Sequence, residues 1–210
     1  MTLELEKITW AKGRPTDLKQ LFCFYHDYVK LLYASVQTTN QVPVEMLFEL
    51  NAALDHLSRQ WVYPDEEQEV VTKAYGHFKR ACLDVFKITF KEAADHYQKL
   101  SAIDTSVIDN GEFDRSLHVF FNQMRAKATK ARQMEGRPDN NGAVPAFEFW
   151  EDVYTDCVAF NQRFFLHERL HWAKRRGVKQ AISRRVTDLV LGFFAGLSSS
   201  LVVWWITTKP

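Results

Sequence analysis

The sequence contains few of the residues that interrupt helices, with only 8 glycines and 6 prolines among 210 residues. This scarcity argues against a turn-rich β-sandwich or β-barrel. The three cysteines, Cys23, Cys82 and Cys157, lie far apart and form no CxxC pair. A disulfide scaffold is therefore not expected, and a reducing compartment fits this cysteine usage. Because 46% of the residues are hydrophobic and the net charge is near zero, the chain is not a disordered one.

The formal net charge of +1 hides a strong asymmetry along the chain. Residues 163–188 hold eight basic and two acidic side chains, a net charge of +6, whereas residues 1–162 carry a net charge of −6. After Asp188 the only charged side chain is Lys209. An acidic body is thus followed by a basic neck and then by a segment with almost no charge.

The uncharged segment predicts a membrane span. Residues 189–206 form a run of 18 without a charge, and at about 1.5 Å per residue such a helix approaches the roughly 30 Å of the hydrocarbon core. Trp204 and Trp205 stand at its far end, where indole rings favour the membrane interface. We predict a transmembrane helix over residues 189–207, with the lipid bilayer as a partner.

The orientation follows from the flanking charges and from the first residues. Arg184 and Arg185 precede the span and are expected to stay on the cytoplasmic side. The first 14 residues contain no apolar stretch typical of a signal peptide. The expected topology is a single-pass, tail-anchored membrane protein with a cytoplasmic N-terminal domain. Two alternatives are a buried helix of a soluble oligomer and a segment that inserts only when triggered.

Small residues within the predicted span indicate self-association. Gly192, Gly196 and Ser200 recur every four residues on one helical face, where close approach of two backbones is favourable in lipid. We therefore expect a homo-oligomer. The basic residues before the span are predicted to contact anionic headgroups, unless they serve only as a topology signal: Lys174, Arg175, Arg176, Lys179, Arg184 and Arg185.

The body predicts an all-α fold of about five helices followed by the single transmembrane helix. Apolar spacing of three and four residues places these helices at about 16–35, 43–63, 66–100, 111–134 and from 145 past 172. Thr16 is expected to cap the first helix. The apolar residues expected to face inward from the first two helices are Leu18, Leu21, Phe22, Tyr25, Tyr28, Val29 and Leu32, and then Met46, Leu47, Leu50, Leu54 and Leu57. The predicted domains are a cytoplasmic helical domain over 1–176, a basic juxtamembrane neck over 177–188 and the span over 189–207.

One motif could bind a metal. His167, Glu168 and His171 form HExxH, whose two histidines share a helical face and can ligate zinc, with the glutamate as general base. A third ligand would have to come from upstream, for example from His118 or Glu151. The motif is weakened by Arg169 between the ligands and by the basic run that follows.

The competing interpretation of this motif is structural. Cys157, Phe160 and Phe164 step by three and four residues toward the two histidines, which would then continue a core stripe. We favour this interpretation, which leaves His167 and His171 as weak metal candidates and Glu168 as a weak catalytic candidate. No cofactor is expected, and the chain is expected not to be an enzyme.

Other motifs of catalysis and nucleic-acid binding are missing. The sequence has no P-loop, no GxGxxG and no GxSxG, and no histidine follows an arginine at the spacing of HEPN ribonucleases. The basic residues of 125–132 suit the C-terminal half of a helix, and those of 174–185 suit a membrane neck. Nucleic-acid binding is therefore not expected.

The architecture leads to one functional hypothesis and two alternatives. We expect a tail-anchored membrane effector of the toxin or antiphage-defence type, whose helical domain self-associates or receives a signal and whose clustered spans perturb the membrane. A regulatory protein is a candidate partner of the helical domain. The first alternative is a membrane-tethered adaptor or scaffold, and the second is an HExxH zinc hydrolase.

Overall fold

A computed structural model describes residues 13–37, 43–63, 67–105, 108–135, 143–165 and 186–196, together with residues 170, 173, 175, 198 and 199. These residues form an all-α bundle, and no strand occurs among them. The predicted fold class is confirmed to that extent. The predicted loop at 136–142 lies outside the described residues.

The first helical run contains a π-helical interruption. It comprises α1 (Leu18–Phe24), a π-helical segment (Tyr25–Val29) and α2 (Lys30–Val36). The carboxylate of Asp17 accepts a hydrogen bond from the backbone N–H of Gln20 at 2.8 Å and caps α1. The prediction of Thr16 as the cap was wrong by one residue, since both side chains can cap a helix and Asp17 occupies the extended position.

Helix α4 forms the centre of the bundle. It runs over Glu67–Ser101, 35 residues or about 52 Å, and packs against both α3 (Val44–Val62) and α6 (Ala143–Phe160). Its predicted central position is confirmed. The buried residues recur at the helical period: Val71, Ala74, Phe78, Cys82, Val85, Phe86 and Ala93.

The second half of the bundle begins with a tight turn. Asp109, Asn110 and Gly111 have φ values of 47°, 54° and 86°, a left-handed conformation that glycine and asparagine tolerate best. Helix α5 (Glu112–Glu135) follows and packs against α6, which continues into a second π-helical segment over Asn161–Phe165. These helices occupy the positions predicted from the apolar spacing, and Leu170 and Ala173 beyond them are buried.

Aromatic side chains fill much of the core. Phe121 stacks on Tyr97 with ring centroids 3.8 Å apart, and Phe160 contacts Phe164 at 5.3 Å. The aromatic residues that are completely or almost completely inaccessible come from the first helical run, α4, α6 and the second π-helical segment: Phe24, Tyr28, Phe86, Trp150, Phe160 and Phe164.

Three residues predicted to lie in the core are exposed. Leu47 is 43% exposed and Leu54 is 62% exposed, because α3 packs against α4 through Met46, Ala53 and Leu57 instead. In α1, Phe22 is exposed and Phe24 is buried. The predictions for Leu47 and Leu54 were wrong because α3 carries apolar residues on two faces, and periodicity alone does not decide which face is covered. The prediction for Phe22 was wrong because α1 is covered through Leu21 and Phe24.

The predicted span is described only in part. Residues 186–196, 198 and 199 are helical, and the other residues of 189–207 lie outside the described part of the chain. Among the residues that the structure describes, no helix is both long enough and apolar enough to cross a bilayer.

Candidate functional site

The helix over residues 186–196 is exposed on every side. Its most exposed large side chains include Leu189 at 73%, Phe193 and Phe194. A helix at the surface of a globular protein normally covers one apolar face, whereas one that is apolar all round belongs to a buried core or a membrane. This helix therefore exposes apolar surface that the bundle does not cover.

The small-residue face of this helix is open. A Cβ atom built on Gly192 or Gly196 would meet no other atom within 4 Å. The positions are therefore sterically accessible to a second helix, as the GxxxG spacing requires. Ser200, the third predicted member of this face, lies outside the described residues.

The serine hydroxyls after this face bond to the helix itself. Ser198 Oγ donates to the backbone oxygen of Phe194 at 2.9 Å, and Ser199 Oγ donates to that of Gly196 at 3.0 Å. Hydroxyls that bond to the preceding turn leave no unmet donor and so lower the cost of placing serine in an apolar environment. These two serines are thus compatible with a lipid-facing helix.

The other predicted site residues fall mostly outside the described part of the chain. Arg175 is exposed, whereas Lys174, Arg176, Lys179, Arg184 and Arg185 are not described. The same holds for the HExxH residues His167, Glu168 and His171. The neck and the HExxH motif therefore remain predictions.

The two upstream residues considered as a third metal ligand have other partners. Nδ1 of His118 lies 2.7 Å from the hydroxyl of Tyr97, and Glu151 accepts a hydrogen bond from the hydroxyl of Tyr28. Within the described residues, no group of three or more His, Cys, Asp or Glu side chains is arranged to hold a metal ion.

The two buried cysteines of the bundle, Cys82 and Cys157, are not activated as nucleophiles. Burial raises the pKa of the Cys82 thiol well above its ordinary value, and it also raises the pKa of the Cys157 thiol. Cys157 lies in a sulfur contact, with its Sγ 3.5 Å from Sδ of Met124. A reactive cysteine requires a lowered thiol pKa, so both residues serve the core.

A buried polar contact joins the first helical run to α6. The hydroxyl of Tyr28, in the first π-helical segment, donates to a carboxylate oxygen of Glu151 at 2.5 Å. Burial, the nearby Cys82 and the contact with Glu151 all raise the pKa of Tyr28, so its hydroxyl remains the donor. The stretch around Trp150 contains three acidic residues, Glu148, Glu151 and Asp152, so the sequence did not single out Glu151 as the partner of Tyr28.

A polar cluster joins α3 to α4. Oε2 of Glu49 lies 2.7 Å from Nδ1 of His77 and 2.9 Å from Nε of Arg80. Partial burial raises the pKa of Glu49, but the hydrogen bonds from Arg80 and His77 outweigh it, and the net pKa is lowered. His56 lies beside the cluster, with its ring 5.1 Å from that of His77.

The cluster predicts a loss of stability in mild acid. Burial, followed by the charges of His77, Arg59 and Lys73, lowers the pKa of His56 below its ordinary value of 6.5. The unfolded chain therefore binds a proton more readily, so the free energy of unfolding should decrease as the pH falls below about 6.5. Urea unfolding of the full chain at pH 7 and pH 5 measures this decrease. His56→Gln should reduce the difference, and an unchanged difference would contradict the role of His56.

Basic side chains on α5 divide into two groups. Nζ of Lys127 lies 2.7 Å from an oxygen of Asp156, and Lys130 lies over the ring of Phe149 at 4.6 Å. Arg125 and Arg132 instead line a cavity of about 410 Å³ between α4 and α5. The basic half of α5 thus contacts α6 and borders this cavity.

Comparison of the chain with protein-family models, with curated proteins and with solved structures finds no match.

Proposed function

We propose that this chain is a tail-anchored membrane effector whose helical domain self-associates or receives a signal, and whose clustered spans then perturb the membrane. The observation that carries the proposal is the exposure of the helix over 186–196 on all of its faces. A protein groove would cover one apolar face, whereas lipid surrounds a helix completely. The apolar sequence that continues to residue 206 supports lipid as the environment.

Clustering is supported by the small-residue face. The open space around Gly192 and Gly196 allows two such helices to approach closely, and packing of this kind drives helix association in lipid. The basic residues of 174–185 would hold the preceding segment at an anionic surface, with about 1 kcal/mol for each lysine or arginine near it.

The clustering step predicts a loss of activity in a glycine variant. Induced expression of the full chain should collapse the membrane potential of the host cell, measured with a potential-sensitive dye. Gly192→Leu combined with Gly196→Leu should abolish this collapse, because the added side chains keep the helices apart while preserving the apolar character of the segment.

The matched control changes the opposite face of the same helix. Val190→Leu combined with Phe194→Leu keeps the segment apolar and leaves both glycines in place, so depolarisation should persist. Glu168→Gln should also remain active, since the effector needs no general base. Depolarisation that survives the glycine substitutions would contradict clustering through this face.

A second candidate is a membrane-tethered adaptor, which the exposed apolar residues of α3 favour. An adaptor would fractionate with membranes and hold a stable protein partner there without depolarising the cell. Depolarisation by the wild-type chain, measured at matched expression, separates the two functions.

A further inference from the structure

Helix α3 carries two apolar seams, and the bundle covers one of them. The inner seam faces α4 through Met46, Leu50, Ala53 and Leu57. The outward seam is exposed at every position and repeats at alternating intervals of three and four residues, the spacing of a helix that packs against another helix: Val44, Leu47, Asn51, Leu54, Ser58 and Trp61.

We propose that the outward seam of α3 binds the same seam of a second copy of this chain. The proposal rests on the proposed function for its place in the mechanism, since it specifies the surface through which the helical domain self-associates. The dimer itself is argued only from the exposure, area and charge of α3.

The exposed apolar area of α3 approaches the area that each partner contributes to a stable dimer. Trp61 is 89% exposed and Phe48, beside the seam, is 70% exposed. At about 150–250 Å² for a whole aromatic side chain, these two residues offer roughly 300 Å². With Val44, Leu47, Leu54 and Val62, the exposed apolar surface is on the order of 600 Å², which approaches the roughly 800 Å² that each partner contributes to a standard interface.

The charge of α3 argues against an anionic membrane surface as the occupant of the seam. The helix carries Glu45, Glu49 and Asp55 against the single cation Arg59, a net charge of −2. Helices that lie on membranes carry basic polar faces, so an anionic lipid surface would repel α3. Asp55 flanks the seam, and its carboxylate lies 3.2 Å from Arg59, which neutralises it.

Asn51 gives the seam a polar centre. Its side chain is exposed, and an amide can both donate to and accept from a second amide. A single asparagine within an apolar seam is a known means of fixing the register of paired helices. Two copies related by a two-fold axis near Asn51 would bring these amides together.

A groove beside the seam can receive an aromatic side chain from the second copy. It has a volume of about 400 Å³ and lies between α1, α3 and α4, where Phe22, Tyr25, Leu50 and Phe78 contribute to its lining. Because the groove adjoins Leu47 and Leu54, Phe48 or Trp61 of the second copy would cover apolar surface that is now exposed.

Crosslinking of the full chain in detergent and in lipid vesicles tests the proposal. The background variant is Cys23→Ser, which removes the one partly exposed thiol and leaves the buried Cys82 and Cys157. In this background, Asn51→Cys should form a covalent dimer with a short bismaleimide. The matched control is Gln123→Cys, on the exposed side of α5, and it should remain monomeric.

A charge in the seam provides the second measurement. Leu54→Arg should lower the crosslinked fraction of Asn51→Cys at least about tenfold, because a cation would be buried without a partner. Val119→Arg introduces the same charge at a half-exposed position of α5 and should have no effect. Far-UV circular dichroism and the urea midpoint of each variant establish that the bundle remains folded.

Three outcomes would overturn the proposal: equal crosslinking of the two cysteine variants, a crosslinked fraction insensitive to Leu54→Arg, or attachment of Asn51→Cys to a different protein. The depolarisation assay on the wild-type chain separates this proposal from the proposed function. If Asn51→Cys still crosslinks while no membrane effect is found for the wild-type chain, the dimer stands and the effector function is wrong.

Discussion

Replacing Trp150 by alanine should destabilise the bundle by about 3–5 kcal/mol. The indole is completely inaccessible, and the ring of Phe90 meets it edge-on with centroids 6.3 Å apart. Nζ of Lys87 and the guanidinium of Arg132 lie about 6 Å from its ring. Because a domain is stable by only about 5–15 kcal/mol, this loss should shift the urea midpoint strongly. Far-UV circular dichroism of the full chain in detergent measures it.

The phenylalanine variant is the matched control for this substitution. The indole nitrogen of Trp150 has no hydrogen-bond partner among the described residues. Trp150→Phe therefore removes a polar atom without removing a hydrogen bond. The apolar volume is largely kept, and the cost should stay below about 1.5 kcal/mol. Equal costs for Ala and Phe would show that packing around Trp150 is not what stabilises this region.

Removing the acceptor of the Tyr28 hydroxyl should cost about 1–3 kcal/mol. Glu151→Leu leaves this buried hydroxyl without its partner, and an unpaired buried donor carries its full desolvation cost. Tyr28→Phe leaves Glu151, which is only partly buried, able to turn to water. The glutamate variant should therefore be the less stable of the two in urea unfolding.

The double variant tests whether the two residues act as a pair. If the contact carries the effect, Tyr28→Phe combined with Glu151→Leu should be more stable than the sum of the single losses predicts. The corresponding contact between Tyr154 and Ser35, 3.4 Å long, remains in all three variants. Strict additivity would mean that the hydroxyl and the carboxylate stabilise the fold independently.

Much of the bundle could be predicted because its helices are long and periodic. The apolar residues of α4 recur over 35 residues, and such a pattern fits only a helix covered on a wide face. The start of α5 was also predictable. Glycine is scarce in this sequence and interrupts helices, and Gly111 ends the turn over Asp109–Gly111 directly before α5. Most of the helices could therefore be predicted because they are long and because glycine and proline are scarce.

The π-helical segments could not be predicted from the spacing. Each adds one residue to a turn, so the inward face moves by a fraction of a turn within a run that otherwise has the normal period. The first segment therefore changes the inward face only after Phe24, where Tyr28 and Val29 are both buried. On α3, both seams satisfy the helical period, and only the position of α4 decides which one is buried.

The sequence predicted which residues form the candidate site, but it did not predict that the helix carrying them is exposed on every side. The absence of charge and the spacing of Gly192 and Gly196 are visible in the sequence. The exposure of the whole helix over 186–196 is a property of the folded chain. The polar cluster of Glu49, His77 and Arg80 was missed, because its members are 28 and 31 positions apart and belong to no motif.

The contact between Tyr28 and Glu151 also sets an order for assembly during synthesis. Neighbouring helices pair first, since α3 meets α4 and α5 meets α6 across short connections, and local pairing is fast. Tyr28 and Glu151 are 123 positions apart, so at about 5–20 residues per second the ribosome needs several seconds to supply the second partner. Until then we expect the hydroxyl of Tyr28 to stay hydrated. The arrival of α6 should then close the bundle as the last step.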